Sequence, residues 1–257
     1  MMPVNKTTTI AYYTFREATQ NQLFVLTLIG LVCLLGVAEF VGDLAISETR
    51  QFQISLLANI GRWFLVITVA LFVITSMIRE FNDKGCDLIL SLPVSKPTYY
   101  FGKLLGYFLL GLVIALSLSV LMLLYADTQA LMIWLISLVC EAVIVMALSM
   151  LCLFTFSNIT IAFIATISFY MLSRSIDAIQ LISVSPILET NTISQEFMTS
   201  LVNLIAFVLP DLSRFTRTEW LVYGVNIDEM GFVLVQTAIY LTLLVAAGLF
   251  DLSRKEF

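Results

Sequence analysis

One acidic residue, Glu141, stands in the middle of an otherwise apolar stretch, ISLVCEAVIVMALSMLC at residues 136–152. An ionised carboxylate is costly in such surroundings, so the side chain must face protein or a wet cavity. Two kinds of chemistry fit: an interhelical hydrogen bond that fixes packing, or an intramembrane polar site linked to substrate or protons. Hydrolytic chemistry fits poorly. The chain has no histidine, which removes the Ser-His triad and the HExxH zinc site together. Its four cysteines, Cys33, Cys86, Cys140 and Cys152, show no CxxC or Cys/His ligand spacing, so neither a metal site nor a disulfide framework is expected. An intramembrane acid protease needs an Asp on each of two helices, whereas Glu141 is the one acid read as lying deep in an apolar run. The nearest approach to a phosphate-binding loop, Gly102-Lys103, lacks the earlier glycine and is followed by Leu104 instead of Ser or Thr. No catalytic residue, bound cofactor or metal is expected in this chain, and any ATP chemistry belongs to another polypeptide.

The second stretch with chemical character is charged. Between Arg79 and Thr98, REFNDKGCDLILSLPVSKPT, the pairs Arg79/Asp83 and Glu80/Lys84 stand at i,i+4, and Phe81, Gly85, Leu88 and Leu92 follow at spacings of four, three and four. That pattern predicts a short amphipathic helix. Pro93 disfavours helical geometry at Leu92 and ends it, and Pro97 suits the first turn of a new helix capped near Ser95 or Lys96. Lys96 itself lies in the connector, where its loss is expected to matter little. A plain charged loop is the alternative.

The elements that must hold these residues follow from composition. Of 257 residues, 60% are hydrophobic and 12% charged, with a mean hydropathy of +0.99, against roughly 45–50% and 25% in soluble domains. The expectation is an all-α integral membrane protein, 1–257 forming a single transmembrane domain. A bilayer core of about 30 Å takes roughly 20 apolar residues per helix. Six runs qualify, near Leu23–Val41, Leu56–Ile78, Tyr100–Tyr125, Ala130–Phe154, Ile159–Leu172 with an extension to Ile182 left open, and Phe232–Phe250. Before them, Asn5–Gln22 places Ile10, Tyr13 or Thr14, and Glu17 at helical spacing, which suits an amphipathic helix on the membrane surface or a solvated lead-in. Its polar character speaks against a cleaved leader. Gly30, Gly36, Gly106 and Gly111 are expected at close helix contacts.

Positive residues are retained on the cytoplasmic side. Placing Lys6, Arg16, Arg79, Lys84, Lys96, Lys103, Arg254 and Lys255 inside leaves Arg50, Arg62, Arg174, Arg214 and Arg217 outside, with both termini cytoplasmic. Most acids then fall outside, so the net charge of −5 carries no implication of nucleic acid. The long outer segment Ser173–Gly231 contains two apolar stretches, Ile176–Leu188 and Phe197–Leu209, of 13 residues each. They are too short to span and are expected to be re-entrant or interfacial helices. Arg174 and Asp177 stand at i,i+3 there, and Arg214, Arg217, Trp220 and Tyr223 have the composition of an interfacial anchor or outer gate.

The spacing of Glu80, Lys84-Gly85, Leu90, Leu92-Pro93-Val94-Ser95, Tyr99 and Gly102-Lys103 resembles the cytoplasmic segment between the second and third spans of type-2 ABC transporter permeases. Six spans, internal termini, an amphipathic N-terminal helix and a long outer segment before the sixth span are also similar to that family. The resemblance implies that Glu80–Leu92 is a coupling helix, with Glu80, Phe81, Lys84, Gly85, Leu88, Leu92 and Pro93 meeting a separate ABC ATPase. It further implies two permease copies, a homodimer or a pair with a related permease, on two ATPase subunits that hold ATP and Mg2+, in a bacterial inner membrane. Family members mostly export lipids, glycans, drugs or peptides. A membrane component of an assembly or maturation complex remains an alternative, as does an ATP-independent secondary transporter, although no duplicated halves are evident.

Overall fold

The computed structural model describes residues 6–44, 49–83, 94–184, 193–224 and 227–254. All regular structure among them is helical. In chain order the helices are α1 (Lys6–Gln20), α2 (Gln22–Leu44), α3 (Thr49–Asn82), α4 (Lys96–Met122), α5 (Thr128–Phe156), α6 (Ile159–Val184), α7 (Ile193–Val208), a 3-10 turn at Leu212–Arg214, α8 (Glu219–Tyr223) and α9 (Ile227–Arg254). Six of them, α2 to α6 and α9, are long and apolar enough to cross a membrane, as the hydropathy runs predict. The fifth takes the longer of its two expected forms, Ile159–Ile182. Of the two short outer stretches, α7 contains the second, whereas residues 176–184 of the first simply continue α6 and 185–188 lie outside the described residues.

Local sequence sets the boundaries. Asn21 separates α1 from α2 and caps the latter, its Oδ1 accepting from the Leu23 amide at 3.1 Å. Ser95 caps α4 with Pro97 in the first turn, as the spacing predicts. Asp127 caps α5 through the Gln129 amide, and Ser157 ends it in the left-handed conformation (φ 53°). Asn158 then opens α6 by accepting from the Thr160 amide at 2.9 Å.

The core forms around α5, which packs against α3, α4, α6 and α9. Its residues from Ala142 to Met150 are almost all buried, as expected of a helix that is apolar on every side. By contrast α2 and α9 turn most of their length outward, including Leu26, Val32 and Phe40 on α2 and Val235 and Leu243 on α9. Glycine admits neighbours where helices touch. A Cβ on Gly30 would lie 2.5 Å from the Phe64 ring, one on Gly106 would lie 2.6 Å from Thr14 Cβ, and one on Gly111 would run into the Met146 side chain. Gly36 departs from expectation, since nothing lies within 4 Å of its Cβ position.

The N-terminal helix forms as predicted but is not free on a surface. It lies against α4 through Ala11, Thr14 and Ala18, and Gly102 and Gly106 on α4 allow the approach. Tyr13, offered as an inward position, is exposed and Thr14 takes its place. Lys96 donates to the carbonyls of Leu252 and Ser253, each at 3.2 Å, and so caps the C-terminus of α9. Lys96 is therefore the first residue of α4 and not a connector residue.

Candidate functional site: a buried arginine-glutamate cluster and an ion-paired bracket

Three helices each contribute two polar residues one helical turn apart. Ser137 and Glu141 come from α5, Tyr170 and Arg174 from α6, and Asn59 and Arg62 from α3, spacings that put each pair on one face. They converge beneath residues 212–216. Glu141 is fully buried. Its Oε1 accepts from the Tyr170 hydroxyl at 2.6 Å and pairs with Arg174 at 3.5 Å, and its Oε2 accepts from the Thr216 hydroxyl at 2.7 Å. Nη1 of Arg174 also donates to the carbonyls of Leu212 (2.6 Å) and Phe215 (3.0 Å). Arg62 donates to Asn59 at 2.7 Å and to the Thr216 carbonyl at 3.4 Å. Trp63 closes one side, edge-on to Tyr170 with ring centroids 5.0 Å apart.

Thr216 is held from every direction. Its amide donates to Ser137 Oγ at 3.0 Å, and its hydroxyl and carbonyl are taken by Glu141 and Arg62. Its φ of 46° is in the left-handed region, which a β-branched residue seldom adopts and which costs of order 1–3 kcal/mol. The surrounding hydrogen bonds offset that cost, so the turn is fixed by α3, α5 and α6 together.

The second polar site lies where α3 ends and α4 begins. Glu80 and Lys103 form an ion pair, their side chains 10% and 5% exposed. Arg79 pairs with Glu17 of α1. Glu17 of α1 and Lys103 of α4 are thus partners that the i,i+4 spacing did not supply, because Arg79–Asn82 continue α3 into the helix bundle and do not start a new element; the expected partner Lys84 lies outside the described residues. Phe81 points toward Phe154 of α5, centroids 6.1 Å apart. Of the proposed coupling residues, Lys84, Gly85, Leu88, Leu92 and Pro93 lie outside the described residues, and so does Cys86.

The residues expected on the outer side separate. Arg174 joins the cluster and pairs with Glu141, so the i,i+3 partnership with half-buried Asp177 is not formed. Arg214 pairs with Asp211 at 2.8 Å and lies 4.7 Å from the Phe232 ring centre. Trp220 is 3% exposed and donates to Glu229 at 2.7 Å, so it is a core residue and no surface anchor. Arg217 pairs with the same carboxylate at 3.8 Å. Tyr223, 82% exposed, retains the character of an interfacial aromatic. Tyr125 shares a cavity with Leu221 and Val222 of α8; its hydroxyl binds Glu39, and burial followed by that carboxylate pushes the phenol up to about 12.

Sequence reasoning missed Arg62, Tyr170 and Thr216, and placed Lys103 in the family-like motif without giving it a partner. The positive-residue rule places Arg62 outside, yet it sits inside the apolar run Leu56–Ile78 and carries the same signal as Glu141. Among the described residues no group of acids and cysteines could hold a metal ion. No protein-family model matches the chain, and no curated protein sequence matches it.

Proposed function

We propose that this chain is the membrane permease subunit of an ATP-driven ABC exporter, working as one of two copies on two separate ATPase subunits in a bacterial inner membrane. The observation that carries the reading is the Glu80–Lys103 ion pair. These are the first and last residues of the family-like motif, and their pairing ties together the two ends of the connector that would dock on the ATPase. ATP and Mg2+ stay on that partner, since this chain has no phosphate-binding loop.

The supporting physics is mechanical. A push on the connector meets a braced block: Glu80 of α3 is tied to Lys103 of α4, Arg79 to Glu17 of α1, and α1 packs on the glycines of α4. Glu80 and Arg62 are 18 residues apart on α3, about 27 Å at 1.5 Å per residue, so one rigid helix joins the bracket to the Thr216 turn. In this reading the termini are cytoplasmic. The segment of α7 and residues 209–224 enters the outer half of the membrane and returns, in keeping with the Tyr240 hydroxyl of α9 donating to the Val208 carbonyl at 3.2 Å. The outward apolar faces meet lipid and the second copy.

The test is reconstitution of the full chain with the ATPase that co-purifies with it. The chain alone should not hydrolyse ATP, and the two-plus-two assembly should. Leu88→Asp or Gly85→Pro should abolish assembly or coupling while the membrane fold persists. Wild-type coupling in both variants would overturn the proposal.

A further inference from the structure

We infer that the Arg62/Arg174 pair is a binding site for one singly charged oxyanion, a phosphodiester or carboxylate, which reaches it along the exposed polar face of α3. The cluster sets two guanidinium groups against one carboxylate, and Glu141 is the one acid among the described residues whose charge acts on Arg62. A surplus positive charge buried in a membrane-spanning bundle is costly, and it is relieved by an anion. Arg62 is 95% buried, from its 5% exposure, and its Nε has no hydrogen-bond partner. Nη2 on the same edge donates to Asn59 Oδ1 at 2.7 Å, so a carboxylate or phosphate takes the two-point fork of that edge by meeting Nε and displacing the Asn59 amide. The backbone carbonyls of residues 212 and 215 accept from Nη1 of Arg174, and that of residue 216 accepts from Nη1 of Arg62. These are neutral acceptors on a strained turn, and an anionic oxygen out-competes them.

A route is present. A cavity of about 290 Å³ opens beside the α8 turn, with Gln51, Ser55, Thr218 and Glu219 among its walls. From Ser55 the polar face continues through exposed Asn59 to Arg62, at spacings of four and three. Glu219 at the mouth disfavours multiply charged groups, which is why a monoanion is specified. The inference needs only the chain itself, so its test is independent of the transport reading.

Purified full chain is placed in phosphatidylcholine nanodiscs under two regimes. In one, a few per cent of phosphatidylglycerol is added and the lipid retained per chain is measured by native mass spectrometry. In the other, soluble dimethyl phosphate is titrated against the emission of tryptophan, Trp63 being next to the cluster. Retention of one phosphatidylglycerol identifies a lipid-borne anion, and saturable dimethyl phosphate binding identifies a free one. Arg62→Gln should weaken binding about tenfold or more, the scale of one charge-assisted hydrogen bond. Glu141→Gln, which removes the competing carboxylate, should strengthen it, whereas a purely structural role for Glu141 would weaken it. Arg254→Gln, at the far end of α9, controls for general charge. Failure of both probes to bind overturns the inference, and so does a Glu141→Gln variant that binds no more tightly than wild type.

Discussion

Replacing Lys103 by Met isolates the part of the bracket on which the proposed mechanism depends. The Lys103 and Glu80 side chains are 5% and 10% exposed, so solvent screening is slight. Removing one member of such a pair leaves an uncompensated buried charge and costs about 3–5 kcal/mol, whereas replacing both with apolar residues of similar volume is about neutral. Lys103→Met and Glu80→Leu should each destabilise by that amount, and the double variant should lie within about 2 kcal/mol of wild type. The coupling energy is then at least about 4 kcal/mol, the difference between two single losses and the double. The ammonium also stands 6.0 Å from the Tyr99 ring centre, a contribution of at most about 1 kcal/mol that does not alter the pattern. Reversible unfolding in mixed micelles, followed by tryptophan emission for all four proteins, measures the cycle. Single losses below about 1 kcal/mol, the range of exposed pairs, would refute the reasoning. If the pair transmits motion, the double variant will be stable yet hydrolyse ATP without transport.

Three further outcomes are expected. Gly106→Ala should loosen α1 from α4, because the new Cβ would meet Thr14 Cβ at 2.6 Å and the Ala11 carbonyl at 2.9 Å, and limited proteolysis near Asn21 should report it. Lys96→Gln should fray the end of α9, seen as faster amide exchange over residues 248–254, since it removes the cation from the Leu252 and Ser253 carbonyls. A cysteine at Thr218 should react with an impermeant maleimide added outside intact cells and one at Asn82 should not. Labelling of both from the same side would invalidate the orientation.

The helices were legible because run length is a local signal. Twenty apolar residues identify a span whatever packs against it, and Asn21, Ser95-Pro97 and Asp127 mark helix starts by their own chemistry. Partners were not legible. Glu80 has Lys84 four residues on in sequence, and nothing local announces Lys103, which reaches it because α3 continues into the bundle beside α4. Arg174 likewise has Asp177 one turn away and takes Glu141, 33 residues earlier, because α5 and α6 are neighbours in space. Trp220 matched the composition of an aromatic belt, yet a carboxylate at residue 229 accepts its indole N–H inside the fold. Arg62 is different, for it was readable. The positive-side rule treats every arginine as a loop charge, and applied without regard to position it moved outward a residue that the hydropathy run had already placed within a span.

That misplacement bears on mechanism through the packing of α3. Between Arg62 and Glu80 the helix buries Leu65, Val66, Val69, Ala70, Phe72, Val73, Ile74 and Met77. A segment buried this densely cannot slide past α5 without opening cavities, each costing about 1 kcal/mol or more per methyl-sized void. In the proposed mechanism, motion received at the bracket would therefore be restricted to tilting α3 as a rod, and a tilt would act on whatever is fixed at the other end. What is fixed there is the Thr216 turn, held in a strained conformation by hydrogen bonds from three helices. Moving Arg62 away from the Thr216 carbonyl, at 3.4 Å as long as the Arg174 contact to the Thr216 hydroxyl and longer than those from α5, would loosen the member contributed by α3. The turn then rests on Glu141, Arg174 and Ser137 alone, the arrangement in which an anion at Arg62 meets least competition.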